Sequence, residues 1–346
     1  MKGAGRAASG SARRLTSLGG VVKVEPLYVN KQDYPKSALI MTHSLPDGDA
    51  VGSVVALCEL LELMDIPVRI VMEDVLPESL EWLRDDRFVK VSEVRLNQSS
   101  MPFDVFVVDC SDLSRIADKS ELFTQARTTY NIDHHVTNDF FASVNQVDGH
   151  ASSTGEMIFR LFQVHEKPLT QRAAEAIYAA VSTDTGSFRY SNTSSETMRL
   201  AGFLIDSGID TAAINAKLYH TKPLDSVKLL GIALDNLIMT RGGKIAVSHV
   251  LLQQAEAGEI KNYETDGICE FLRDISGVEV ALFLKETAPE VFKISARSKH
   301  DFDVSRLALH FGGGGHTRAA GFTVTGILEE VRHKILEQIV LAVGQS

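Results

Sequence analysis

Short apolar runs alternate with stretches of helical periodicity in the first part of the chain. Runs at residues 38–41, 68–71, 105–108 and 129–132 have the length and apolar content of buried strands. Between the first two runs, the strongly apolar segment 48–64 predicts a helix. Strands that alternate with helices are typical of α/β domains with a mainly parallel sheet. We predict that fold class for the N-terminal part of the chain.

The hydrophobic period then changes twice. A helical region is predicted first, with helices at 154–162, 171–181, 195–207, 211–219 and 224–237. Arg241-Gly242-Gly243 predicts a turn and a domain boundary. Beyond that turn the pattern predicts strands at 244–250, 278–284, 291–296 and 321–324, and helices at 304–311 and from 327 onward. We therefore expect a tail at 1–35, a first domain at 36–222, a connector at 223–243 and a smaller α/β domain at 244–346.

Composition limits the class of protein. The 346 residues are 44% hydrophobic and carry a formal charge of −10. A protein that coats long duplex nucleic acid usually has a basic surplus, so the net charge argues against that role, whereas a small anionic substrate is compatible. No uncharged apolar stretch approaches the ~18 residues of a membrane-spanning helix, so no membrane association is predicted. The three cysteines, Cys58, Cys110 and Cys269, are widely spaced, which favours a reducing, cytoplasmic setting.

The first 24 residues are rich in Ser, Ala, Gly, Lys and Arg and contain no acidic residue. This composition is weakly similar to that of an organelle transit peptide, but an amphipathic face is hard to find. A tail without fixed structure is the simpler interpretation.

Acidic residues and histidines fall where predicted strands and helices end. They are His43, Asp47 and Asp49 after the first strand, Asp109 after 105–108, Asp133, His134 and His135 after 129–132, and Asp184 after an apolar helix. Ligands of open α/β sheets bind at the carboxyl ends of the strands, so these groups should converge. Taken singly, each has a structural alternative, such as a helix cap for Asp47 or Asp49 and a turn for Asp184.

So many carboxylates in one crevice repel one another and need a compensating cation. Mixed aspartate and histidine ligands without cysteine suit Mn²⁺, with Fe and Zn²⁺ less suited and Mg²⁺ an alternative. Five or six ligands exceed the need of one ion, whereas a pair of ions bridged by one carboxylate would use them all. Such a pair serves phosphoester hydrolysis.

Five ordered motifs resemble those of the DHH phosphoesterase superfamily. They are the segments HSLPDGDAVGS, VVDCSD, NIDHHVTN and STDTGSF, followed by the glycine-rich segment at 312–321, which resembles the signature of the DHH-associated C-terminal domain. The resemblance covers residues 36–346. Within the superfamily, the chain is similar to the bacterial branch that joins very-short-RNA hydrolysis with dephosphorylation of 3′-phosphoadenosine 5′-phosphate (pAp).

The resemblance implies a role for each matching residue. It assigns one ion to His43, Asp47 and Asp109, and a second to Asp49, Asp109, His134 and Asp184, with Asp109 bridging. His135 would contact the scissile phosphate or help to protonate the leaving group. Asp133 would orient an imidazole, as expected around metal-binding histidines.

Substrate contacts are expected mainly in the C-terminal domain. By the resemblance, Arg297 and His316 bind the terminal phosphate of the substrate. Gly313, Gly314 and Gly315 lack side chains, so their backbone can approach a phosphate closely, although a glycine run is more often a flexible turn. Arg318 is either a further contact or simply solvated. Arg189 could stack on a base or bond to it, or be an exposed arginine at a strand end.

The leading hypothesis is a two-metal phosphohydrolase whose cleft lies between two lobes. It would cleave very short oligonucleotides to nucleoside 5′-monophosphates, convert pAp to AMP, or do both. The alternatives are a phosphodiesterase for cyclic di-AMP or linear diadenylate and a catalytically silent nucleotide-binding module. A pyrophosphatase should lack the GGGGH segment, and a processive exonuclease should be longer and more basic. A homodimer, formed through 171–237, is implied by relatives only.

Overall fold

Two six-stranded sheets organise the part of the chain that the computed structural model describes, namely residues 24–73, 75–94, 102–260, 265, 267–300 and 302–343. The chain divides into two compact units between Thr221 and Lys222. Each unit contains one of the sheets. The α/β architecture confirms the predicted fold class.

The sheet of the first unit is entirely parallel. Its strands are β1 (Ser37–Met41), β2 (Val68–Val71), β3 (Phe88–Val89), β4 (Phe103–Val108), β5 (Thr128–Asp133) and β6 (Val144–Val147). They lie in the order β3-β2-β1-β4-β5-β6, so the direction of winding reverses between β1 and β4. A reversal of this kind opens a crevice at the carboxyl ends of the two central strands.

Both faces of this sheet are buried, which explains the continuous apolar runs in its strands. In β1, Ala38 and Ile40 belong to one core cluster, and Leu39 and Met41 belong to another on the opposite face. Neighbouring side chains in a strand alternate between faces, so each run supplies both cores. The helices of the unit are α1 (Gly48–Leu63), α2 (Ser120–Thr124), α3 (Thr154–Val164), α4 (Gln171–Asp184), α5 (Ser195–Asp206) and α6 (Thr211–Tyr219).

Helices α1 and α4 pack closely because α1 has a glycine where they meet. A Cβ at Gly52 would lie 2.4 Å from the carbonyl oxygen of Ala176 in α4. A Cβ at Gly48, in the first turn of α1, would lie 2.4 Å from Oγ1 of Thr183 near the end of α4. The start of α1 therefore lies beside the end of α4. This packing brings Asp184, the last residue of α4, towards the residues that begin α1.

A segment ahead of β1 also packs on the first unit. Val24, Leu27 and Tyr28 are buried in its core. The Tyr28 hydroxyl donates to Oδ2 of the buried Asp104 at 2.7 Å. Residues 24–35, which belong to the predicted tail, are thus attached to the first unit. Residues 1–23 lie outside the described residues.

The second unit contains a mixed sheet covered by helices. Its strands are β7 (Ile238–Thr240), β8 (Ile245–Val250), β9 (Val280–Ala288), β10 (Val291–Ser298), β11 (Gly314–His316) and β12 (Ala319–Thr325), and its helices are α7 (Leu224–Asp235), α8 (Leu252–Ala257), α9 (Ile268–Asp274), α10 (Val304–His310) and α11 (Leu328–Val343). The strand order is β11-β12-β10-β9-β8-β7, and only the β8–β9 pair is parallel among the described residues. Among these residues no helix is both long and apolar enough to cross a membrane.

Candidate metal centre

Three loops bring the predicted ligands to the crevice at the winding reversal. His43 follows β1, Asp109 follows β4 and His134 follows β5, each directly or within two residues of the strand end. Asp109 has a left-handed backbone conformation, with φ at +52°, and its N–H donates to Ile132 O. The chain turns sharply there, immediately after β4. The structure thus brings together residues that are far apart in the sequence.

Asp109 lies at the centre of the cluster. Its Oδ2 is 3.7 Å from Nε2 of His43, and its Oδ1 is 3.7 Å from Nε2 of His134. The same Nε2 of His134 is 3.7 Å from Oδ2 of Asp49 and 3.6 Å from Oδ2 of Asp184. The two oxygens of one carboxylate thus face two different histidines. This arrangement would allow one carboxylate to bridge two cations.

Among the described residues, three groups could hold a divalent ion, and within each group the ligand atoms lie within 4.8 Å of one another. These groups are His43, Asp47 and Asp109; Asp49, His134 and Asp184; and Asp109, His134 and His135. The first two correspond to the two ligand sets implied by the resemblance, apart from the shared Asp109. The assignment of each residue to an ion stays a prediction.

The imidazole rings are oriented with Nε2 towards the carboxylates. Nδ1 of His43 lies 2.8 Å from Ser44 O, and Nδ1 of His134 lies 3.3 Å from Ala151 O. A carbonyl oxygen can only accept, so each Nδ1 carries the proton and donates it. In the neutral ring the lone pair is therefore on Nε2, which is the arrangement typical of metal-binding histidines. The donor set fits a divalent cation.

Burial and neighbouring charges strongly shift the pKa values of the carboxylates. Burial, followed by the charge of Asp109, holds the pKa of Asp49 well above its ordinary range. Burial also raises the pKa of Asp184 to about 7, although His134 opposes the shift. For Asp109 the effect of burial is outweighed by the nearby imidazoles of His43, His135 and His134, and its pKa is lowered. Buried carboxylates in this state favour a positive partner among them.

The histidines show the complementary shift. Burial alone would lower the pKa of His134, but the charges of Asp184, Asp49 and Asp109 raise it to about 9. The pKa of His43 is likewise raised: burial opposes the shift, but the nearby carboxylates of Asp109 and Asp47 together outweigh it. Without another cation, protonated histidines compensate the carboxylates. A divalent ion would take over that role and leave the rings neutral.

Asp47 caps a helix and also belongs to one of the candidate metal groups. Its Oδ1 accepts from the N–H groups of Asp49 and Ala50, so it caps the N-terminus of α1, as the structural alternative predicted. The same exposed side chain belongs to the group that contains His43 and Asp109.

His135 is held by a carboxylate. Its Nδ1 lies 2.7 Å from Oδ1 of Asp133. Burial alone would lower the pKa of His135, but this hydrogen bond contributes to a raised pKa. Asp133 is fully buried, and its Oδ2 accepts from Nδ2 of Asn138 at 2.6 Å. Asn138 was not recognised from the sequence. It is the last residue of the NIDHHVTN segment, so the motif contains it, but no periodicity marks it.

Arg189 is exposed and lies five residues beyond Asp184. Its Nε donates to Gly186 O at 2.6 Å, so the guanidinium folds back over its own loop. A residue nearer to the ligands, Asn192, was also missed: its Nδ2 lies 3.3 Å from Oδ2 of Asp184 and 3.0 Å from Ser152 O. The predicted role of Arg189 stays a prediction.

The predicted phosphate-binding residues of the second unit share one end of its sheet. Arg297 of β10 pairs with Ala319 of β12, which in turn pairs with His316 of β11, so the three lie in one row. Nε of Arg297 donates to Oε1 of Glu270 at 2.8 Å. The exposed Arg318 donates from Nη1 to Phe302 O at 3.1 Å. The side chain of His316 lies outside the described atoms.

The glycine-rich segment is only partly a turn. Gly314 and Gly315 are in β11, an edge strand that pairs with β12, where the sequence analysis considered a flexible turn more common. Gly313 is required sterically, since a Cβ there would lie 2.2 Å from Gly321 O. At Gly314 a Cβ would meet no described atom within 4 Å. Binding of a phosphate by these residues stays a prediction.

The parallel sheet with its histidine–aspartate crevice, followed by the mixed sheet, places this chain in a known class. The chain belongs to the DHH family: the family's N-terminal domain matches residues 37–181, and a DHHA1 domain matches residues 228–344. This confirms the resemblance seen in the sequence motifs.

Particular relatives share most of the chain. The bifunctional oligoribonuclease and PAP phosphatase NrnA of Thermus thermophilus is 30% identical over 302 residues, which cover 87% of this chain and 88% of that protein. NrnA of Bacillus subtilis is 31% identical over 290 residues, covering 83% and 88%. The crystal structure of an exopolyphosphatase-related protein from Bacteroides fragilis is 27% identical, with a TM-score of 0.78, covering 89% of this chain and 92% of that one.

Proposed function

We propose that this protein is a manganese-dependent phosphohydrolase that cleaves very short oligonucleotides to nucleoside 5′-monophosphates and converts pAp to AMP. The observation that carries the proposal is Asp109, whose two oxygens face His43 and His134 separately. The similarity to proteins named oligoribonuclease and PAP phosphatase supports the choice of substrates. Mg²⁺ is the alternative ion.

Both reactions have the same bond change. Water adds to phosphorus, the P–O3′ bond breaks, and the departing oxygen takes a proton to become a 3′-hydroxyl. One ion would be held by His43, Asp47 and Asp109, and the other by Asp49, Asp109, His134 and Asp184. When bound, such ions polarise the phosphoryl oxygens and lower the pKa of water.

In this proposal His135 supplies the proton for the leaving oxygen. Its Nδ1 is held by the buried Asp133, which orients the ring and favours its protonated form. A protonated imidazole beside the ligand cluster is a suitable general acid near neutral pH. The ring would be reprotonated from solvent after each turnover.

The catalytic domain in this proposal is 36–222, followed by the connector 223–243 and the substrate-binding domain 244–346. Arg297, His316, Gly313, Gly314 and Gly315 would bind the terminal phosphate, with Arg318 and Arg189 as further contacts. A formal charge of −10 suits short substrates, because they need only a local cluster of cations. A homodimer and a cytoplasmic location belong to the same proposal.

The test is a turnover panel with Mn²⁺ that compares pApA, RNAs of two to five nucleotides, pAp, cyclic di-AMP and pyrophosphate, with His134→Ala as the control. Release of AMP from pApA or pAp, abolished in the variant, is the expected result. Cleavage of pyrophosphate alone would contradict the assignment of the C-terminal domain. Bound Mn²⁺ without turnover of any substrate would instead identify a nucleotide-binding module.

A further inference from the structure

The segment that leads into α3 contacts several of the proposed metal ligands. Ala151 O accepts from Nδ1 of His134 at 3.3 Å. The N–H of Thr154 donates to Oδ2 of Asp49 at 2.7 Å, and the N–H of Gly155 donates to Oδ1 of Asp49 at 2.9 Å. The first two free N–H groups of α3 are therefore used by one carboxylate. A negative charge at this position is also favoured by the helix dipole.

Thr154 makes a further contact through its side chain. Its Oγ1 donates to Oδ1 of Asp109 at 3.1 Å, and the residue is fully buried. Capping does not require this hydroxyl, because Oγ of Ser153 already accepts from the N–H of Glu156 and serves as the N-cap. The Thr154 hydroxyl is thus directed at the carboxylate that both ligand groups share.

Buried polar contacts hold the segment in place. Glu156 is buried, and its Oε2 accepts from the N–H of Ser152 at 3.2 Å and from the hydroxyl of Thr197 at 3.2 Å. Its Oε1 pairs with Arg160 one turn further along α3. Because these groups are satisfied inside the first unit, the hydroxyl of Thr154 is presented at a fixed position.

We infer that Thr154 is a positioning residue, which fixes the carboxylate plane of Asp109 so that each of its oxygens faces one metal position. The inference rests on the proposed function. A hydroxyl that donates to Oδ1 takes one lone pair of that oxygen and would leave the other for an ion on the His134 side. Oδ2 would remain for an ion on the His43 side. The backbone N–H groups of Thr154 and Gly155 likewise hold the carboxylate of Asp49 in position.

The test compares Thr154→Val, which keeps the shape and loses the hydroxyl, with Thr154→Ser, which keeps the hydroxyl. Mn²⁺ binding is measured from the electron paramagnetic resonance signal of free Mn²⁺, together with kcat and KM for pAp. For Thr154→Val we expect Mn²⁺ affinity and kcat to fall by about 10–100-fold, the range for partners of metal ligands, with KM for pAp little changed. In Thr154→Ser, Mn²⁺ affinity and kcat should stay within about twofold of the wild-type values, since the serine hydroxyl preserves the contact.

The matched control is Thr129→Val in β5. Its hydroxyl is also buried in the first unit, but its partner is Ser143. This variant should lose stability in urea while binding Mn²⁺ like the wild type. Normal Mn²⁺ affinity in Thr154→Val, or equal losses in Thr154→Val and Thr154→Ser, would overturn the inference. Wild-type protein that binds no Mn²⁺ would overturn the proposed function instead.

Discussion

Among single residues, Asp109 is the one on which both proposed ion positions depend. Asp109→Asn keeps the size of the side chain but removes the charge that His43 and His134 both face. We expect Mn²⁺-dependent turnover of pAp to fall by more than about 100-fold, because loss of a residue that merely supports a ligand already reduces activity by 10–100-fold. Initial rates over a Mn²⁺ titration measure the effect.

The control for this substitution is Asp118→Asn, at an exposed carboxylate of the same unit. It should turn over pAp at the wild-type rate. A folded Asp109→Asn protein that keeps near-normal activity at saturating Mn²⁺ would contradict the bridging role.

Sequence reasoning found the residues whose positions obey a rule. His43, Asp109 and His134 follow buried strands, and the carboxyl ends of parallel strands meet at one edge of the sheet. No comparable rule marks Thr154 or Asn138. Thr154 is separated from its partner Asp49 by 105 positions, and its contact arises only when α3 packs beside α1. The roles of such residues can be inferred only from their contacts in the tertiary structure.

Among the secondary-structure elements, the hairpin of β11 and β12 leaves no room for a side chain at Gly313, the residue that precedes β11. Gly313→Ala would force a methyl group to within 2.2 Å of Gly321 O, a backbone atom that cannot move without breaking the hairpin. Overpacking of this kind is destabilising by about 1–3 kcal/mol. Urea unfolding measures the loss.

Gly314→Ala is the matched control for this prediction, because its added Cβ would meet no described atom within 4 Å. It should leave the free energy of unfolding close to that of the wild type. Equal stability of the two variants would contradict the close approach. A fall in pAp turnover in the stable Gly314→Ala protein would support a phosphate contact at this strand.

The segment that begins at Val24 is attached to α3 by a contact that should be pH-sensitive. The N–H of Leu27 donates to Nε2 of His165 at 3.0 Å, so the ring must be unprotonated at that atom. Burial, and secondarily the charge of Lys167, lowers the pKa of His165 below its ordinary 6.5. A lowered folded-state pKa gives stability that is complete above the unfolded value and is lost as the pH falls through the folded one.

We therefore expect the hydrogen-exchange protection factor of the Leu27 amide, corrected for intrinsic exchange, to fall as the solution is acidified from neutral pH. In His165→Gln the side chain does not titrate, so protection of the same amide should show no such dependence. Constant protection in the wild type would show that the ring is not the acceptor.

Central elements were easier to predict than edges, for a physical reason. β1 and β4 are buried on both faces, so each contains a continuous apolar run, 38–41 and 105–108, bounded by polar residues. Three edge strands, β3, β6 and β7, have only two to four residues and no fully buried side chain, and the sequence analysis missed them. Short, half-exposed strands form because the adjacent strand of the sheet offers free hydrogen-bonding groups. The hydrophobic pattern of the short segment itself does not indicate this pairing.

Across the whole molecule, the ligand cluster lies entirely in the first unit and the glycine-rich strand entirely in the second. An ion that binds the folded first unit should stabilise that unit alone. At a concentration about 100 times its Kd, the gain is about 2.7 kcal/mol. For a unit of this size, that corresponds to roughly 5–10 °C in Tm.

Scanning calorimetry of the full chain should therefore show two transitions, of which Mn²⁺ raises one and EDTA returns it to its starting temperature. Gly313→Ala identifies the other transition, because its steric conflict is in the second unit and should lower that Tm only. Asp109→Asn should weaken the response to Mn²⁺ without moving the second transition. One transition that shifts with both Mn²⁺ and Gly313→Ala would instead mean that the two units unfold together, and that ion binding stabilises the second unit as well.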